Sequence, residues 1–126
     1  MPTTVRVIHA RDLIAASLEG RLDLNAARRI VAEIISTADP RFDYEVMLDT
    51  RKSEVVMSIT DLWYLASHLS DLRKGFSKKT AVLCPEEKFD RAGFFATCAK
   101  NRGVRVQAFT SFEDAFNWLM DLAPAS

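Results

Sequence analysis

Histidine and cysteine are scarce in this 126-residue chain, at two each, and glycine and proline are thin at four apiece. Two cysteines cannot build a disulfide framework. Cys84 and Cys98 fall at a predicted strand end and inside a predicted helix, and no CxxC spacing occurs, so reduced thiols are expected. With so few histidines and no carboxylates clustered at ligand spacing, no metal and no cofactor are expected. Repeats, linkers and low-complexity segments are absent. Net charge is absent as well, because 17 Lys and Arg balance 17 Asp and Glu and the pI is about 6.7. No overall field then draws the chain to nucleic acid or an anionic membrane. No apolar run approaches the roughly 20 residues of a spanning helix. Met1-Pro2-Thr3-Thr4-Val5-Arg6-Val7-Ile8 lacks the basic segment and apolar core of a signal peptide, and a cytoplasmic location is expected.

What the chain does have is hydrophobic content, 48% against 27% charged. That suits one domain over residues 1–126, able to bury roughly two-thirds of its unfolded surface. Val5 to His9 and Leu13 to Glu19 are β-prone runs joined by Ala10-Arg11-Asp12, a hairpin-length connection. Gly20-Arg21-Leu22 ends the second run. Asp23 then caps a helix with Leu24, Ala27, Val31, Ile34 and Ile35 on one stripe, stopped by Asp39-Pro40.

Tyr44-Glu45-Val46-Met47-Leu48-Asp49-Thr50-Arg51 reads as a buried strand that delivers Asp49, Thr50 and Arg51 to its carboxyl end. In open α/β sheets, ligand and partner sites gather at that end. Lys52 to Met57 reads as a connection whose apolar middle must pack on something. Ser58 and Asp61 have capping-box spacing ahead of a helix that buries Ile59, Leu62, Trp63, Ala66 and Leu69 and stops near Lys74-Gly75. Thr80 to Leu83 is a further buried strand. After Pro85, a helix to about Asn101 carries Phe89, Ala92, Phe95, Ala96 and Ala99 inward. Val104 to Phe109 is an outer strand. Thr110 or Ser111 then caps a last helix with Phe112, Ala115, Phe116 and Leu119 inward, before the tail Pro124-Ala125-Ser126.

The order ββαβαβαβα predicts an α/β domain. Its single mixed, mostly parallel five-stranded sheet is flanked by about four helices, with the first strand antiparallel at or near an edge.

Leu18-Glu19-Gly20-Arg21-Leu22, Val46-Met47-Leu48-Asp49-Thr50-Arg51, Val106-Gln107-Ala108-Phe109 and Glu113-Asp114-Ala115-Phe116-Asn117-Trp118-Leu119 together resemble the SpoIIAA-like proteins of the STAS and Sec14-like class. These are bacterial domains related in fold to anti-sigma-factor antagonists. The resemblance spans nearly the whole chain through loose hydrophobic signatures. It implies the STAS-type fold, and Ser58 as the nearest counterpart of the serine that a partner kinase phosphorylates in those antagonists. Here Met57 precedes Ser58 where the antagonists carry aspartate, and no small Ser-Gly follows.

Ser58 therefore has two readings, helix cap and phosphorylation site. Asp49 invites comparison with the phospho-accepting aspartate of receivers, but the second acidic cluster and lysine of that chemistry are not supplied. It is expected to accept loop amides or pair with Arg51. Cys84, where a strand meets a helix, is a small buried residue or a nucleophile. Tyr64 and Phe94 fall opposite the apolar stripes of their helices. With Trp118 and Phe76 they suggest a covered surface: a homodimer contact, a partner site or the rim of an apolar pocket. The resulting expectation is a non-enzymatic regulatory or binding module. It contacts a protein partner, a second copy of itself or a small apolar ligand through Asp49, Thr50, Arg51, Ser58, Tyr64 and Phe94. The alternative is a small enzyme or phosphoswitch using Cys84 or Ser58.

Overall fold

The computed structural model describes residues 3–8, 13–37, 39, 43–72 and 78–121. Strand β1 (Thr3–Ile8) pairs antiparallel with β2 (Leu13–Leu22), Ile8 opposite Leu13. Helix α1 (Leu24–Thr37) follows, its first turn closed by Asp23 Oδ1, which accepts the Ala26 amide at 2.8 Å. Strand β3 (Glu45–Val55), helix α2 (Ile59–Asp71) and strand β4 (Thr80–Leu83) come next. A 3-10 turn over Glu86–Lys88 leads into α3 (Phe89–Lys100), β5 (Val106–Phe109) and α4 (Phe112–Leu119). The sheet order is β1-β2-β3-β4-β5, and every pair after the first is parallel.

That order decides which helix goes where. When successive parallel strands are laid side by side through right-handed crossovers, every crossover helix lands on the same face. The core divides accordingly. Ile14, Leu18, Val46, Val82 and Val106 of the sheet share one cluster with α1, α2 and α3. Leu13, Met47 and Ala81 form a smaller one with Ala115 and Leu119 of α4. The alternation of strand side chains separates the two sets. Helix α4 is not a crossover and, among the described residues, is the helix that packs on the second face. Its carboxyl end is held by Lys79, whose Nζ donates to the Trp118 carbonyl and to Asp121 Oδ1, both at 2.6 Å, and lies 5.4 Å from the Trp118 ring centre. A cation on the last carbonyls of a helix is the favourable arrangement for its dipole.

Two strands run further than expected. β2 continues through Gly20, which takes φ +81°, to Leu22. β3 does not stop at Arg51 but continues to Val55, so Lys52–Val55 is strand rather than connection. A register shift between Ser17 and Glu19 lets the two strands go on pairing to Leu22 opposite Val55. Exposure along Lys52, Ser53, Glu54 and Val55 alternates, the pattern of a strand with one wet face.

Helix faces also differ from the expectation at particular positions. Ile59, Phe89 and Phe112 are exposed rather than inward. Each is the first residue of its helix, and contact with the core begins three residues later, at Leu62, Ala92 and Ala115. Trp63 is 44% exposed, with its ring 4.6 Å from the Arg102 guanidinium and edge-on to Tyr64. Phe94 is partly buried against the main core, not on an outer face. Because α3 packs on α2 as well as on the sheet, its buried arc is wider and takes in Phe94 and Cys98 beside Phe95 and Ala99. His9, Ala10-Arg11-Asp12, Pro40, Lys74-Gly75, Phe76 and Pro124-Ala125-Ser126 lie outside the described residues.

Candidate functional site

The carboxyl end of the β3–β4 pair is reached at Asp49 opposite Leu83, and from there β3 runs on beside β2 alone. Asp49 and Arg51 close on one another. Arg51 donates from Nε to Asp49 Oδ1 at 3.0 Å, from Nη2 to Oδ2 at 2.9 Å, and from its amide to Oδ1 at 3.1 Å. Burial alone would raise the Asp49 carboxyl. The side-chain and backbone hydrogen bonds from Arg51, with the charges of Arg51 and Lys52, outweigh it and hold the group below its ordinary value. Thr50 points the other way, as alternation requires. It is buried, and its hydroxyl donates to the Leu83 carbonyl at 2.9 Å, tying β3 to the end of β4.

Beneath Thr50 a cavity of about 90 Å³ lies between the sheet and the three crossover helices. Leu18, Leu48 and Val82 form its sheet wall, and Val31, Leu65 and Phe95 reach it from α1, α2 and α3. The lining is almost wholly apolar, because the Thr50 hydroxyl is already engaged and Lys88 and Arg91 line it with their methylene stems, their charged ends lying out at the rim. Val55 and Met57, the apolar middle that had to pack on something, line it too. It opens where its exposed lining residues lie, at Lys88 and Arg91. Arg91 Nη1 donates to the Met57 carbonyl at 2.9 Å across that mouth.

Ser58 is exposed and forms a complete capping box. Its Oγ accepts the Asp61 amide and its own amide donates to Asp61 Oδ2, each at 3.1 Å. Tyr64 is 49% exposed on α2. Of the six residues read from sequence as a site, Thr50 alone lines the cavity. Lys88 and Arg91 were missed, because nothing in Glu86-Glu87-Lys88-Phe89-Asp90-Arg91 distinguishes the two cations from an ordinary solvated helix start.

Cys84 also lines the cavity and is buried, its thiol 3.5 Å from the Phe109 carbonyl oxygen. Burial and the nearby Glu87 push it above the ordinary thiol value, the reverse of what a nucleophile needs. Among the described residues no group of His, Cys, Asp or Glu could hold a metal ion, and no helix is long and apolar enough to cross a membrane.

No family model and no curated protein matches the chain. Solved structures do. An uncharacterized protein of the DUF3478 family with a SpoIIAA-like fold, from Shewanella loihica, has a TM-score of 0.62 at 16% identity, covering 93% of each chain. The anti-sigma factor antagonist SpoIIAA in its unphosphorylated form gives 0.55 at 16% identity, over 93% of this chain and 96% of that one. The phosphorylated Bacillus cell fate determinant SpoIIAA gives 0.55 at 18%, over 93% and 98%. The chain thus has a SpoIIAA-like, STAS-type fold. At such identities the likeness establishes the fold alone, and the chemistry rests on the residues themselves.

Proposed function

We propose that the chain is a non-enzymatic regulatory or binding module of the STAS type that receives a small apolar ligand at the carboxyl edge of its sheet. The observation that supports this is the apolar cavity under Thr50, which opens to the surface at the edge where α/β folds place their sites. An engineered apolar cavity of about 150 Å³ admits benzene. This one, at about 90 Å³, has room for the end of a ligand rather than the whole of one. The exposed Ile59 and Phe89, first residues of α2 and α3, stand at the same carboxyl edge of the sheet.

Methyl NMR with 1-pentanol tests the reading. Leu18, Leu48, Val82 and Leu65 should shift while Leu119, on the α4 face, stays still. Ala92→Leu, which adds a side chain to the cavity wall, should abolish the shifts. Pentanol that perturbs no cavity methyl at tens of millimolar would defeat the proposal.

A protein partner or a second copy is favoured by a different observation, the exposed Ile59, Trp63 and Tyr64 along α2. Native mass spectrometry of freshly purified protein reads both possibilities, as a dimer mass or as a retained ligand.

A further inference from the structure

Every charged residue that lines the cavity is a cation. Lys88 and Arg91 border its mouth, whereas Glu86, Glu87 and Asp90, which alternate with them in sequence, are not part of the lining. The two cations also break a local preference. Lys88 is the N-cap residue of α3 and Arg91 lies in its first turn, at the positive end of the helix dipole, where acids are favoured. Among the described residues neither forms an ion pair with an acid, unlike Arg51 with Asp49 and Lys79 with Asp121. Sequences that break a local rule tend to do so at functional sites.

Arg91 is oriented as well as placed. Its Nη1 donates to the Met57 carbonyl at 2.9 Å, which ties the guanidinium to the chain ahead of α2, and among the described residues Nε and Nη2 have no acceptor. A planar fork held in this way suits a carboxylate, and the Lys88 ammonium adds a second charge at the same opening. Behind the cations the space is apolar and small. Scaled against the benzene cavity, about 90 Å³ takes a tail of about four carbons.

From this geometry we propose that the ligand is a short-chain carboxylate, its apolar tail in the cavity and its carboxylate between Lys88 and Arg91. The proposal rests on the apolar-ligand reading above and adds the charge and length of what enters.

Titrations of the full chain with pentanoate, 1-pentanol and pentylammonium, followed by the cavity methyls, test it. Pentanoate should bind about three- to tenfold tighter than pentanol, and pentylammonium weakest, as expected for a partly exposed charge-assisted contact. Added salt should erode the pentanoate advantage and leave pentanol unchanged. In Lys88→Gln/Arg91→Gln, pentanoate should fall to the level of pentanol. The single variant Lys88→Gln should show part of the loss with the Arg91 bond to Met57 intact. Equal binding of all three probes to the wild type, or a pentanoate advantage that survives in the double variant, would overturn the carboxylate assignment while the apolar site stood. Failure of all three to bind would remove the apolar site as well.

Discussion

The most exposed point of the packing argument is Thr80. Register places it in a transverse row, Ile14 beside Val46 beside Thr80 beside Val106, on the face covered by the crossover helices. All four are fully buried, and among the described residues the Thr80 hydroxyl has no hydrogen-bond partner. An unsatisfied buried hydroxyl costs about 1–3 kcal/mol by protein mutational measures. Thr80→Val keeps the β-branched shape and the strand preference, removes that cost, and brings a methyl group into contact with two valines. Some of the benefit is lost to the slightly larger methyl in a tight site, which leaves a net stabilisation of about 1–2 kcal/mol. For a chain of this length that raises Tm by about 4–8 °C. Urea unfolding should show a higher midpoint with an unchanged slope. Thr80→Ser keeps the hydroxyl and drops the methyl, and should lose about 1 kcal/mol. A Thr80→Val protein that is no more stable than wild type, with the slope unchanged, would refute the reasoning and give the hydroxyl a partner.

Ser58→Ala removes the oxygen that accepts the Asp61 amide, and should cost about 1 kcal/mol, or about 4 °C in Tm. Ser58→Asp, which also caps, should recover most of it, and a Ser58→Ala protein as stable as wild type would mean that the box contributes nothing. The Asp49–Arg51 pair makes a pH-dependent contribution. The Asp49 carboxyl is lowered in the folded chain, so its stabilisation is fully present above the ordinary aspartate value near 3.8 and disappears as pH falls through the folded value. Because the pair is partly exposed, Asp49→Asn should cost under about 1 kcal/mol at pH 6 and less at pH 2, read by urea unfolding at the two pH values. A cost that grew on acidification would contradict the sign.

The helices, their caps and the parallel crossovers were legible because each is written in neighbouring residues. Asp23 before Leu24, Ser58 three residues before Asp61, and Ser111 before Phe112 are local chemical signals, and the α2 box and the Ser111 cap form as their spacing requires. Runs such as Thr80 to Leu83 carry the period of a buried strand whatever their neighbours are. The continuation of β3 was also encoded, in the alternation of Lys52-Ser53-Glu54-Val55. It was obscured by charged residues that suit the wet face of a strand as well as they suit a loop. The capping role of Ser58 and the closure of Asp49 on Arg51 are likewise settled within a few residues of chain.

Tertiary structure alone decided the rest. Phe94 turned inward because α2 lies beside α3, a neighbour that no periodicity within α3 can announce. Ile59, Phe89 and Phe112 stand outward as the first residues of their helices, ahead of Leu62, Ala92 and Ala115, which make the contact with the core. The cavity is the space left where three helices cannot close completely on a twisted sheet, so it depends on packing distances between elements far apart in sequence. Its walls come from Leu18, Val31, Leu48, Leu65, Val82 and Phe95, and its charged mouth from Lys88 and Arg91. The sequence by itself determined which faces are apolar, through periods of two and 3.6 residues that any strand or helix must obey. Where those faces fail to meet, and which cations stand at the gap, follows only from how the elements pack.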